Sequence, residues 1–481
     1  MSTDGHGSRA GLRELLMLAW PVVLSYTLNN TYRINDQFWI KGLGPAAQAA
    51  IGATFFVQIM NFAVVFLAVG GTLALVSRAI GAQAPERRDS FIRHALLLGI
   101  LLGLILTFAV PPLIPGIVAL FGLGGEAAAQ AESYLATIYL YMAPMVVFPV
   151  TDSIFIARGN TRVPMTLQGI AVAVNYCLNP ILIYGARAAE VMDAPGVKLF
   201  ASIADSFGIE EGYGVAGAAM ATGIARTAVL ISALLILRYT YGTRLIGRGW
   251  PLWHRMISIV KISAPASLSI AVYSTAYWLL LSLVLSKLGD AVFAGLGIGF
   301  QVFEGLSFPC YLGVAMAGAS LVGKAIGARD RAQALNTVRL IRRVARIMGF
   351  CWSAIFVLFA SFVANRFSDD PDVRRETVRY VMILAISQWF VGAETTNEKV
   401  LLGAGYTKPQ LWIAPLGNLL RVPLGWFLAL TMGLGATGVW IAIDVTSLLK
   451  AFLFWREVEY GPWLDRAFSQ ADHDDARELI D

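Results

Sequence analysis

The sequence predicts an all-α integral membrane protein: twelve transmembrane helices in two six-helix lobes, related by a pseudo-twofold axis along the membrane normal. Three observations lead there. The 481 residues are 57% hydrophobic and only 14% charged, with a mean hydropathy of +0.65, whereas soluble domains carry about 25% charged residues. The apolar residues gather into about twelve unbroken stretches of the roughly 20-residue length a spanning helix needs. Finally, LVSRAIGA at 75–82 returns as LVGKAIGA at 321–328, which signals an internal repeat.

The predicted spans are 15–40, 50–77, 94–119, 133–157, 163–184, 213–237, 258–286, 292–322, 340–364, 377–402, 409–432 and 435–457. Helices follow from unbroken apolarity, because barrel strands would alternate in character over about ten residues. The formal charge of +6 does not point to nucleic acid, because its distribution follows the membrane. With a cytoplasmic N-terminus, about 25 of the Lys and Arg residues fall on the cytoplasmic side and roughly eight outside, the bias of the positive-inside rule. Both termini are then cytoplasmic. The predicted organisation is a cytoplasmic tail at 1–14, an N-lobe of helices 1–6 at 15–237, and a cytoplasmic linker at 238–257. A C-lobe of helices 7–12 at 258–457 and a cytoplasmic tail at 458–481 follow. The polar N-terminal MSTDGHGSRAG lacks a signal-peptide plan, so the first helix is expected to stay as an anchor. Cys177, Cys310 and Cys351 fall inside apolar spans and show no disulfide or metal spacing.

The octapeptides belong to a longer duplication. LAWPVVLS at 18–25 pairs with ISAPASLS at 262–269, and IKGLGPAAQAAIG with LSKLGDAVFAGLG. RGNTRVP at 158–164 pairs with GAGYTKP at 403–409, and NYCLNP at 175–180 with NLLRVP at 418–423. Six helices per copy give both copies the same orientation, as in secondary transporters with a central site between halves. GASLVGKA at 318–325 nearly matches a phosphate-binding loop. It follows a membrane helix rather than a strand, and Ala325 stands where the Mg²⁺-binding hydroxyl belongs, so a nucleotide site is not predicted. Active transport would then draw on an ion gradient.

Polar groups inside spans mark candidate sites, because hydrocarbon penalises them. On helix 1, Ser25, Tyr26, Asn29, Asn30, Arg33, Asp36 and Gln37 fall within an arc of about 140°, facing either a wet cavity or other polar groups. The matching face of helix 7 carries no charge, which places ion coupling in the N-terminal half. Gln301 and Glu304 on helix 8 echo Gln58 and Asn61 on helix 2. Helix 10 holds Glu394 and Glu398 on one face beside Lys399, with Asp152 as the repeat partner of Glu398. Arg226, Arg421 and Asp444 also fall within spans, as pairing partners or site residues. No histidine lies in mid-span, which leaves carboxylates to carry any proton.

These motifs together resemble the multidrug and toxic compound extrusion (MATE) family over residues 12–457. The resemblance rests on DQFWIKGLGPAAQAAIG, VSRAIGA, ARGNTRVPM, NYCLNP and GVAGAAMAT in that order. It implies two lobes in a V, alternating access, and a secondary antiporter exporting amphipathic, often cationic compounds in exchange for H⁺ or Na⁺, in the plasma membrane (the inner membrane of a bacterium). It implies a cation site of Asp36, Asn175, Asn179 and Thr222, with no metal beyond Na⁺ at Asp36 and no other cofactor. For substrate, the polar candidates are Tyr26, Asn29, Asn30 and Arg33 of the first half with Gln301, Glu304 and Glu394 of the second. The partners expected are a small organic molecule and the bilayer, with the protein acting as a monomer. Asn179 stands where some relatives carry Asp, and Arg33 beside Asp36 departs from the family pattern. A lipid-linked oligosaccharide flippase of the same broad superfamily, favoured by Arg33, Arg226 and Arg421, and a membrane-embedded transferase stay open as alternatives.

Overall fold

The computed structural model describes residues 4–245 and 252–478, and every regular element among them is a helix. The first repeat comprises α1 (Asp4–Ile40), α2 (Pro45–Gly81), α3 (Pro85–Ala109), α4 (Gly125–Leu140 and Met142–Arg158, bent by 58° where they meet), α5 (Arg162–Tyr184) and α6 (Gly214–Leu235). The second comprises α7 (Trp253–Leu283), α8 (Asp290–Gly327), α9 (Arg331–Phe367), α10 (Pro371–Gly403), α11 (Gln410–Trp426) and α12 (Ala436–Tyr460), followed by α13 (Trp463–Glu478). Nine of the described helices are long and apolar enough to cross a membrane, ten if the bent α4 pair is one span. The helices α1 and α10 fall short because they carry polar residues in their interiors.

Several helices start earlier than their apolar stretches. The third begins at Pro85 and the ninth at Arg331, because a helix continues through an amphipathic end that hydropathy alone does not register. In α2 and α8 the repeat preserves an irregularity as well as a sequence. The first breaks at Thr54, and the second passes through a π-turn at Phe300–Glu304, 246 positions later.

The lobes meet where the octapeptides end α2 and α8. Lipid offers helices no hydrophobic gain from association, so close backbone approach through small residues does the work. Gly71 packs on the Ile259 carbonyl and donates its N–H to Ser263 Oγ at 2.6 Å. The Ser77 and Ser320 hydroxyls meet at 3.2 Å, and Ser267 Oγ donates to the Ala63 carbonyl at 2.6 Å. Gly81 lies against the Lys324 carbonyl and Gly327 against the Arg78 carbonyl, so closely that any Cβ would overlap. Higher up, Asn30 Nδ2 of α1 donates to the Gly305 carbonyl of α8 at 2.9 Å.

The helix α1 belongs to the first repeat by sequence but spans both lobes in its packing. Leu15 and Ala19 sit in a core with Val322, Ile326, Ile341 and Phe454 of the second repeat. Tyr32, Trp39 and Ile40 sit in a core with Leu73, Phe148 and Phe155 of the first. At the far end of the first lobe, the segment 185–213 folds over α5. Tyr184 Oη donates to the Trp39 carbonyl, and the Trp39, Tyr176 and Phe200 rings stack edge to face in series, at 5.3 and 6.3 Å.

Candidate functional site

Three helices bring their polar residues to one buried point in the first lobe. Asp36 comes from the inner face of α1, Asn175 and Asn179 from successive turns of α5, and Thr222 from α6, all buried. Asn179 Nδ2 donates to Asp36 Oδ1 at 3.0 Å, Asn175 Nδ2 to the same oxygen at 3.4 Å, and Thr222 Oγ1 to Oδ2 at 3.3 Å. Asn175 is the hub: its Nδ2 also reaches Thr222 Oγ1 at 3.0 Å, and its Oδ1 accepts from Asn35 Nδ2 at 2.6 Å. A carboxylate out of water is costly unless donors satisfy it, and here neutral donors surround one acid. The four residues of the predicted cation site therefore come together. Asn35, which the helix-1 stripe left out, joins them by turning towards α5.

One turn beyond Thr222 lies Arg226, also buried. Its Nη1 donates to Gln168 Oε1 at 2.8 Å and its Nη2 to Asn29 Oδ1 at 2.5 Å. The guanidinium stacks 4.4 Å from the Tyr32 ring centroid and 5.3 Å from that of Phe148, contacts each worth about 0.5–2 kcal/mol. Arg226 lies within electrostatic range of both Asp36 and Asp152. Asp152 Oδ1 is buried and has no hydrogen-bond partner among the described residues. Of the helix-1 substrate candidates, Asn29 is thus tied to Arg226, Asn30 pins the lobes together, and Tyr26 is half-buried. The Arg33 side chain lies outside the described residues.

The second lobe has its own polar interior, with a different plan. Gln301 is exposed, and Glu304, at the end of the π-turn, accepts from Tyr380 Oη. Glu394 is closed by Lys450 Nζ at 2.7 Å, which also donates to Asn418 Oδ1 at 3.1 Å. Glu398 pairs with its neighbour Lys399 at 2.8 Å. Arg421 donates to Thr446 Oγ1 at 3.1 Å and Ser447 Oγ at 3.3 Å, while Asp444 Oδ1 is buried without a hydrogen-bond partner among the described residues. Glu304 and Glu394 both lie within electrostatic range of Tyr273, as does Arg421, while Gln301 is exposed. Lys450 and Asn418 were missed as partners because sequence spacing cannot pair α10 with α11 and α12.

The model of the MatE family matches the chain twice, at residues 21–181 and 265–427, once in each repeat. The chain belongs to the MatE family. The two matches start 244 residues apart (265 against 21) and end 246 apart (427 against 181), within two residues of the 246-residue offset of the octapeptides. MatE proteins are transporters, so this chain is a multi-pass membrane transporter and not an enzyme. It is 26% identical over 459 residues to a probable multidrug resistance protein NorM of Thermotoga maritima, covering 95% of this chain and 94% of the relative. A protein of the same description from Bradyrhizobium diazoefficiens is 26% identical over 460 residues, covering 92% and 91%. Among solved structures, a MOP superfamily transporter from Pyrococcus furiosus, whose binding pocket is described as of reverse polarity, aligns with a TM-score of 0.82 at 22% identity, covering 96% of this chain and 97% of that one. An outward-facing multidrug resistance MATE transporter aligns at 0.81, also 22% identical, with the same coverage. The likeness supports twelve helices in two lobes.

Proposed function

We propose that this MatE transporter is a secondary antiporter that exports amphipathic, cationic organic compounds in exchange for protons, with Asp36 as the carrier. The observation that carries the reading is the donor shell around Asp36. Asn175 turns its oxygen to Asn35 and its Nδ2 towards the carboxylate. That leaves Asn179 Oδ1 as the one unpartnered amide oxygen of this shell, fewer than a Na⁺ shell of several oxygens needs. Asp36 accepts from Asn175, Asn179 and Thr222; a proton on Asp36 removes the charge those donors answer. The same helix packs with Leu15 and Ala19 against the second lobe, so a shift of α1 at Asp36 transmits to the contact between lobes. Protonation moves the balance of lobe arrangements only by its differential affinity for them. The lysine and arginine bias supports a cytoplasmic location for the octapeptide end and both termini, in the plasma membrane of a bacterial cell. The closed contacts at that end support an outward-open arrangement. All of these groups lie within one chain, consistent with a functional monomer.

The test is efflux of a fluorescent cationic dye from proteoliposomes, under an imposed pH gradient or an imposed Na⁺ gradient, run separately. Dye movement driven by the pH gradient and lost in Asp36→Asn is expected. Equal efflux by folded Asp36→Asn, or efflux driven by Na⁺ alone, refutes the proposal.

A further inference from the structure

The octapeptides form a reciprocal contact that is satisfied on one side and open on the other. Arg78 of α2 crosses to the end of α10, where its Nη2 donates to the Ala404 carbonyl at 2.9 Å beside Gly405, a left-handed turn with φ 72°. Its repeat partner Lys324 of α8, 246 positions later, crosses to the end of α4. There its Nζ lies 3.0 Å from where a Cβ of Gly159 would stand, in the matching left-handed turn with φ 82°.

Beyond those turns the symmetry fails. On the α10 side the space is filled by protein: Arg78 is only 1% exposed, and Arg466 of α13 stacks 5.4 Å from the ring of Tyr406, which follows Gly405 as Asn160 follows Gly159. On the α4 side there is a cavity of about 480 Å³, whose lining includes Glu14, Met17, Asn160, Thr161, Arg162 and Lys324. Neither Lys324 nor Arg162 has a hydrogen-bond or ion-pair partner among the described residues, while Glu14 lies within electrostatic range of Lys324. Leu16, Met17 and Trp20 extend along α1 from the cavity, each 45–50% exposed. This is the amphipathic boundary where Trp and apolar chains meet lipid headgroups.

We propose that this cavity binds the headgroup of an amine-bearing phospholipid, of the phosphatidylethanolamine kind. The phosphate is held by Lys324 and Arg162, the ammonium faces Glu14, and the acyl chains run along Met17 and Trp20. A free phosphate ion would use the two cations but would leave Glu14 and the apolar edge without a role. The lining comes from α8 of one lobe and from the α4–α5 turn of the other, so the occupied cavity favours the arrangement in which the octapeptides touch. The proposal does not depend on which ion drives transport.

The test uses the full chain, delipidated in detergent and titrated with phosphatidylethanolamine, phosphatidylglycerol or phosphatidylcholine of identical acyl chains, with bound lipid counted by native mass spectrometry. One copy of phosphatidylethanolamine is expected to be retained in preference to the other two. Arg162→Gln, an exposed position that leaves folding intact, is expected to weaken retention about tenfold, the scale of one charge-assisted hydrogen bond. Adding Lys324→Gln should abolish it, and Glu14→Gln should erase the preference over phosphatidylglycerol. Equal retention by Arg162→Gln, equal retention of all three lipids by the unaltered chain, or displacement by inorganic phosphate would each overturn the lipid assignment. The link to the lobes is read from thiol labelling of Ser77→Cys, in a chain whose three native cysteines are serine. Phosphatidylethanolamine bilayers should slow labelling relative to phosphatidylcholine, and Arg162→Gln/Lys324→Gln should remove that difference. An unchanged rate in the two bilayers would overturn it.

Discussion

Asn35 has no charge and no direct contact with a transported ion in the proposed scheme, yet it governs how Asn175 faces Asp36. Its Nδ2 holds the Asn175 oxygen, which keeps the Asn175 amide group turned to the carboxylate. Asn35→Ala should therefore lower proton-driven dye efflux about tenfold, the scale of one net hydrogen bond, with little change in expression or melting temperature. Efflux at the unaltered rate would show that Asn175 needs no such restraint. A different outcome is expected at the Glu394–Lys450 pair, where a buried lysine meets a partly buried acid. Glu394→Leu alone leaves the buried Lys450 ammonium without its counter-charge and should cost about 3–5 kcal/mol, whereas Glu394→Leu/Lys450→Met should restore most of it. Thermal unfolding in detergent checks both. At this scale the sequence was informative only along a single helix. The periodicity of α1 put Asp36 on a polar stripe, but its partners on α5 and α6 were named through family resemblance. Gln168, Lys450 and Asn418 were not anticipated, because each meets its partner across helices that no local spacing relates.

Among the elements, α1 and the two octapeptide helices are the ones that, in the proposed scheme, link the site to the lobe contact. The first half of α1 packs with one lobe and its second half with the other, so Asp36 lies on a rod anchored at both ends. Gly81 and Gly327 allow α2 and α8 to approach to backbone contact. Gly327→Val should force these ends apart, and labelling of Ser77→Cys from that side should rise severalfold while the protein stays folded. Unchanged labelling would mean that the contact is not part of the conformational cycle. Hydropathy found these helices but not their ends or defects. It misses the polar opening turns of α3 and α9 and the π-turn that delivers Glu304, because such features are set by packing and by polar backbone partners.

For the whole molecule, the proposed proton exchange through one buried carboxylate would fix the sign of the pH response. If Asp36 takes its proton outside and releases it inside, acidifying the outer medium raises dye efflux and acidifying the interior slows it. Reversing the imposed gradient in proteoliposomes checks this, and insensitivity to the direction would contradict it. The duplication was legible throughout, because six-helix copies must keep the same order and orientation. The unequal use of the copies was legible in part: the acid of helix 1 has no charged counterpart on helix 7, whereas the closed ion pairs and tyrosines of the second lobe join helices that no local spacing relates. The reciprocal octapeptide contact also bears on ancestry. Gly81 on the Lys324 carbonyl and Gly327 on the Arg78 carbonyl form an isologous interface, the kind two identical subunits make about a twofold axis. Such an interface would hold without a covalent tether. Residues 1–245 and 252–481, produced as separate polypeptides in one cell, should find each other and co-purify as a heterodimer, a trace of the symmetric pair from which a fused gene could have arisen.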